Sequence, residues 1–169
     1  MSPLYDSPVG VLTLRATARG LASIAFHPHA RGGGDPEVIA ATERQLDEYF
    51  AGERRTFDLR LDLAGSEFEQ AVWAQLRHIP YGETVSYGEL ARRAGRPDVV
   101  RAVAAAVGRT PVPIVVPCHR VIGADGSLTG YGGGLPRKRA LLDLEAGRYT
   151  LFPEATSATP GISRPAAVS

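Results

Sequence analysis

Cys118 is the only cysteine in the 169-residue chain, and His119 follows it directly in the run Pro113-Ile114-Val115-Val116-Pro117-Cys118-His119-Arg120-Val121-Ile122. A thiolate is a strong nucleophile and a thiol a poor one, so an imidazole in reach can activate the sulfur by taking its proton. The β-branched residues around the cysteine predict a buried strand or extended segment. Burial disfavours the charged form, so the thiol pKa should rise and a proton acceptor becomes necessary. A lone cysteine is often just a small core hydrophobe; His119, Arg120 and the fencing Pro117 favour chemistry. Nothing beside Cys118 resembles an oxyanion hole, which argues against a cysteine hydrolase.

Other residues suggest a polyanionic partner. Residues 1–63 hold seven basic and nine acidic side chains, for −2. Residues 87–121 hold Arg92, Arg93, Arg96, Arg101, Arg109 and Arg120 against Glu89 and Asp98, for +4. Such a basic segment within a chain of net charge +1 marks either a polyanion footprint or a solvated face. The loop Gly130-Tyr131-Gly132-Gly133-Gly134 lacks the spacing and lysine of a phosphate loop, so its glycines serve close approach to a flat ligand instead. His27 and His29 flank Pro28 with no cysteine or third histidine nearby, and read as a solvated loop.

The elements that must position these groups form a mixed α/β (α+β) chain. A small N-terminal lobe over residues 1–63 carries an antiparallel sheet and a helix. A mostly helical lobe over residues 64–152 carries a helix-turn-helix and the cysteine loop. Residues 153–169, rich in Pro, Ala, Ser and Thr, are expected to be disordered. In the first lobe, residues 11–14 and 21–26 read as a hairpin, residues 36–50 as an amphipathic helix, and the strictly alternating residues 57–63 as a half-exposed strand. In the second, Ser66 and Glu69 have capping-box spacing for a helix running to Ile79, where Pro80 stops it. Ser86 and Glu89 repeat the box for a short helix, and Pro97 or Asp98 starts another over residues 99–107. Residues 136–146 form the last helix. The second helix of the pair presents Ala102, Ala104, Ala105 and Ala106 after Arg101, almost without groups for base edges. That face suits close approach to backbone and sugars, and it argues against a sequence-specific regulator.

Hydrophobic content of 44% suffices for a core, and no apolar run approaches the ~18–20 residues of a membrane span. The N-terminus lacks the order of a signal peptide, and a single free thiol suits a cytoplasmic or nucleoid-associated protein.

Taken together, Pro117-Cys118-His119-Arg120-Val121-Ile122, Arg101-Ala102-Val103, Pro80-Tyr81-Gly82-Glu83-Thr84-Val85-Ser86-Tyr87, Gly130-Tyr131-Gly132-Gly133 and Leu141-Leu142-Asp143-Leu144-Glu145 closely resemble the O6-alkylguanine-DNA alkyltransferases, or methylated-DNA–protein-cysteine methyltransferases. The resemblance covers residues 64–147, and more loosely the N-terminal lobe. It implies single-turnover transfer of an alkyl group from O6-alkylguanine, and from O4-alkylthymine, in duplex DNA to Cys118. His119 would act as base through a bridging water, with Glu145 orienting it. Tyr131 would line the guanine pocket and donate to the leaving base, while backbone groups of Val121 and of the loop at Gly132 recognise it. Tyr87 would press on the phosphate of the flipped nucleotide and Arg101 fill the gap in the stack, with Ala102 and Arg96 completing the DNA-facing set.

The resemblance further implies no cofactor, no membrane, and a monomer free to bind cooperatively along DNA. Thr110 stands where the family usually has a hinge asparagine. Threonine cannot offer both an amide donor and a carbonyl acceptor, so this departure bears on rate more than on binding. Ala104 replaces a frequent glycine. The cysteines of the structural zinc site in some animal members are missing, so no metal is expected. The alternative is a non-reacting, alkyltransferase-like damage-recognition protein; such relatives lack the cysteine.

Overall fold

The computed structural model describes residues 4–28 and 31–147. His29 and the expected disordered tail lie outside them. Strands β1 (Leu4–Ser7), β2 (Gly10–Thr17) and β3 (Gly20–Ala25) form an antiparallel sheet in that order. Leu12 and Leu14 of β2 and Leu21 of β3 are fully buried. Helix α1 (Pro36–Phe50) covers them with Val38, Leu46, Tyr49 and Phe50, which helical spacing puts on one face. It opens as its sequence dictates, with Asp35 accepting from the amides of Glu37 and Val38 and a proline in the first turn.

Residues 57–63 do not form the expected strand. They touch the sheet at one parallel bridge, Leu21 to Leu61, with Leu21 N donating to Arg60 O (2.8 Å) and Asp62 N to Leu21 O (2.8 Å). The reason lies in the outer edge of β3, which this segment shares with the second lobe: Ile24 N donates to Pro111 O (2.9 Å).

The second lobe opens at α2 (Glu67–Leu76) with both halves of the Ser66–Glu69 capping box in place. Gly65 is required for close approach, since a Cβ there would sit 2.4 Å from the Trp73 ring. The helix stops at Leu76, short of the expected Ile79, which is nevertheless buried. Helix α3 (Tyr87–Arg93) follows the two-residue strand β4 (Val85–Ser86). Ser86 accepts from Glu89 N, but the reciprocal half of that box is not made: the Glu89 carboxylate pairs with Arg92 and Arg93. Helix α4 (Val100–Gly108) starts neither at Pro97 nor at Asp98; Val99 is its cap and offers no side-chain bond. Packing sets this start. Val103, Ala106 and Val107 are buried, and Trp73 Nε1 donates to Ala106 O (2.8 Å), fastening α2 to α4.

The cysteine segment is buried as expected but is not one strand. Residues 113–116 make a turn, Cys118–Arg120 a 3-10 turn, and only β5 (Val121–Ile122) is strand, parallel to β4. Pro113 and Pro117 lack the amide donors a ladder needs. Ile114 holds φ 74, a left-handed backbone that costs a branched residue about 1–3 kcal/mol and persists only where packing enforces it. Ile114 is 1% exposed. The last helix, α5 (Leu135–Glu145), returns to this segment. No described helix is long and apolar enough to cross a membrane.

Candidate active site

Cys118, 6% exposed, opens onto a cavity of about 650 Å³. Thr110, Tyr87, Arg101, Tyr131 and Gly132 line the same cavity, so six residues expected at the site converge there. Burial pushes the Cys118 thiol up to about 12; the Thr110 hydroxyl and the Lys138 ammonium oppose that rise without cancelling it. The Thr110 hydroxyl donates to Val107 O (2.7 Å).

His119 and Glu145 lie behind the cysteine, both buried. His119 Nε2 meets Glu145 Oε2 at 2.7 Å. Arg120 is not part of a basic surface: it grips the same carboxylate with Nε on Oε1 (2.8 Å) and Nη2 on Oε2 (2.9 Å), while Nη1 donates to Ile79 O (2.7 Å). Tyr49, from α1 in the other lobe, donates its hydroxyl to Oε2 at 2.6 Å. Burial alone would raise the Glu145 carboxyl, but the charges and hydrogen bonds of His119 and Arg120 outweigh it and hold the group well below the usual carboxylate range. The second ring nitrogen, His119 Nδ1, has no partner among the described residues, and neither does the buried hydroxyl of Tyr131. Buried polar atoms are normally satisfied, so both are available to something that enters.

The glycine-bearing loop is held open by long side chains. Tyr87 OH donates to Thr129 O (3.1 Å), and the buried Lys138 donates to the same carbonyl (2.8 Å) with its ammonium 5.8 Å from the Tyr87 ring centre. Arg137 ties the loop to the first lobe, donating to Val9 O (2.6 Å) and Gly133 O (2.9 Å). Phe26 lies 5.6 Å from Tyr131, ring to ring. Residues 24–27 thus form a wall of the cavity, so the first lobe takes part in the site. The Tyr131 hydroxyl is raised well above the ordinary phenol value by burial and then by the charges of Cys118 and Glu145, which keeps it a donor.

Arg101 and Ala102 are exposed on α4, and Ala104 lines the cavity beside Arg101. Ala102, Arg96 and Val121 do not line it. Arg96 is exposed with its guanidinium 5.4 Å from the Phe68 ring centre. Val121 is fully buried, because β5 pairs it with Val85 of β4. Ion pairs offset half of the +4 of residues 87–121: Glu69 pairs with Arg109 and Glu145 with Arg120, while Arg92 and Arg93 share Glu89, which that sum already counts. The sequence reading missed Tyr49, Lys138, the inward turn of Arg120 and the wall from β3. The signal for Arg120 was its place in a buried run; the others have none locally.

The family model for the 6-O-methylguanine DNA methyltransferase DNA binding domain matches residues 67–147, and that for the ribonuclease-like domain of the same proteins matches residues 2–63. The methylated-DNA–protein-cysteine methyltransferase of Mycolicibacterium paratuberculosis is 52% identical over 146 residues, covering 83% of this chain and 88% of the relative. That of Methanosarcina acetivorans is 44% identical over 149 residues, covering 84% and 96%. Among solved structures, Mycobacterium tuberculosis OGT in complex with DNA matches with a TM-score of 0.79 and 50% identity, over 85% of this chain and 91% of that one. With both lobes matched in chain order, and relatives about half identical along most of their length, the chain belongs to the 6-O-methylguanine DNA methyltransferase family.

Proposed function

We propose that this chain repairs DNA by direct reversal, taking the alkyl group of O6-alkylguanine, or of O4-alkylthymine, onto Cys118 in a single turnover. The observation that carries this reading is the opening of the sole cysteine into a cavity that also holds the unpartnered Tyr131 hydroxyl and is flanked by Tyr87 and Arg101. An O6-alkyl group lies inside the paired stack, so the nucleotide is extruded before a thiolate reaches it. Unstacking costs a few kcal/mol, least for a poorly pairing base. Arg101, exposed on the slim α4 face, fills the gap, and Tyr87 presses on the flipped phosphate. Ala102 and Arg96 lie outside the cavity and contact the duplex around it.

The thiol proton passes through a bridging water to His119 Nδ1, while Glu145 holds the ring by Nε2. The sulfur attacks the alkyl carbon; the C–S bond forms, the C–O6 bond breaks, and its electron pair moves to O6. Tyr131 donates a hydrogen bond to the departing base. The guanine leaves with one proton more than the alkylated base carried, supplied overall by the thiol. A thioether is not reducible and the chain has no second cysteine, so each molecule acts once. Thr110 and the Gly132 loop border the pocket and shape base entry.

Incubation with a duplex containing O6-methylguanine adds one methyl group to the Cys118 peptide, read by mass spectrometry. Cys118→Ala keeps affinity for the damaged duplex and gains nothing. An unmodified thiol at saturating duplex rejects transfer and leaves the damage-recognition alternative.

A further inference from the structure

Glu145 Oε2 accepts from His119 Nε2 (2.7 Å), Arg120 Nη2 (2.9 Å) and Tyr49 OH (2.6 Å). Two of these donors belong to the cysteine segment. The third crosses from α1, 96 positions away in the chain. Tyr49 is fully buried, its ring set among Phe50 (5.1 Å), Phe57 (5.4 Å) and Tyr81 (6.2 Å). Phenyl rings already fill that cluster, so packing there does not require a hydroxyl. A buried hydroxyl without a partner is costly, and this one is spent on the oxygen that also holds the histidine.

We propose that Tyr49 is a positioning residue for the proton relay, its hydroxyl restraining how strongly Glu145 draws the proton on His119, so that the lobe without the nucleophile helps set the pH at which Cys118 reacts. This rests on the assignment of Cys118, His119 and Glu145 given above. Groups facing the carboxylate from every packed element enter the balance. Arg120 and His119 come from the 3-10 turn, and Tyr81 from the loop after α2, with Arg55 and Arg120 against its ring at 5.1 and 5.7 Å. Tyr131 of the glycine loop feels the charges of both Cys118 and Glu145, and Lys138 of α5 acts on Cys118. Arg120 holds the carboxylate ionised, and Tyr49 disperses its charge at Oε2. Without that hydroxyl, Oε2 keeps His119 and Arg120 as its donors and pulls harder on the imidazole N–H, and the pH profile of Cys118 reactivity moves. Burial, followed by the charge of Glu145, raises the Tyr49 hydroxyl well above the ordinary phenol value, so it remains a donor throughout the working range.

The test is Tyr49→Phe in the full chain, which keeps the ring. Cys118 is the sole cysteine, so its labelling by iodoacetamide between about pH 5 and pH 9 reports proton loss without DNA. The variant should label about threefold to tenfold more slowly on the acidic side, with the limb moved up by about half a pH unit to one unit, and converge on the wild type at alkaline pH. Methyl transfer from an O6-methylguanine duplex should follow the same shifted profile with duplex affinity unchanged. Phe57→Leu disturbs the same aromatic cluster without touching the carboxylate, and should lower Tm while leaving the limb in place. In a Glu145→Gln background, Tyr49→Phe should no longer move it. Parallel wild-type and variant profiles, or a loss uniform across pH like that of Phe57→Leu, would overturn the proposal. A wild type that labels but never accepts a methyl group would instead overturn the repair reading.

Discussion

Replacing Arg120 by methionine keeps much of the buried stem and removes the charge that faces Glu145. The pair is deeply enclosed, with side chains 7% and 1% exposed, and doubly bonded. Breaking such a pair from one side leaves a buried charge uncompensated and costs about 3–5 kcal/mol. The carbonyl of Ile79 also loses its donor, at roughly 1 kcal/mol more. Against a total stability of about 5–15 kcal/mol, that is a large fraction. With a urea m-value of about 2 kcal/mol/M, the midpoint should fall by about 2–3 M at neutral pH.

The pH dependence gives a second handle on the same variant. In the wild type the folded Glu145 carboxyl is depressed, so its contribution is present above the unfolded value near 4.3 and is lost only as pH falls through the depressed folded one. Without Arg120 the depression weakens, because burial is then opposed mainly by the charge and hydrogen bond of His119. Less of the contribution that Glu145 makes above about pH 4.3 then survives. The stability gap between the proteins should therefore be widest near pH 7 to 8 and narrow towards about pH 4. Adding Glu145→Gln removes the stranded charge and should recover about half of the loss or more. Urea titrations at three pH values decide the matter. A neutral-pH loss under about 1 kcal/mol, or a gap that widens on acidification, refutes the reasoning.

Arg101→Ala should leave stability within about 0.5 kcal/mol, because the side chain is exposed. It should slow transfer from duplex DNA about tenfold or more, while transfer from free O6-benzylguanine is unchanged; equal slowing with the free base would remove Arg101 from the stack. The Thr110 hydroxyl favours the Cys118 thiolate by turning its one proton from Val107 O to the sulfur, and Thr110→Val deletes that donor. The thiol should rise further, and labelling at pH 7 to 9 should slow about threefold or more; an unchanged labelling rate would show that this hydroxyl does not serve the thiolate. Ser66→Ala removes the capping box of α2 and should cost about 1 kcal/mol by urea titration, without altering labelling of Cys118.

The amino-acid order by itself determined whatever depends on neighbours within a turn or two. Asp35 with Pro36 opens α1, and Ser66 with Glu69 opens α2, because caps and first-turn donors lie three residues apart or fewer. Apolar spacing settled which face of α1 is buried, and the run around Cys118 that the thiol would be enclosed and hard to ionise. Alternation alone misread residues 57–63, since a strand exists only where an edge is available, and β3 gives part of its edge to Pro111. The β-branched run around Cys118 pointed to a buried strand or extended segment; the burial is there, but prolines deny the ladder and burial enforces φ 74 at Ile114. Tertiary structure decided that Arg120 turns inward, that Val85 pairs with Val121, and that Tyr49 reaches Glu145 across the lobes. Those contacts join residues dozens of positions apart. No local preference encodes them; they follow from how two lobes close over one buried carboxylate.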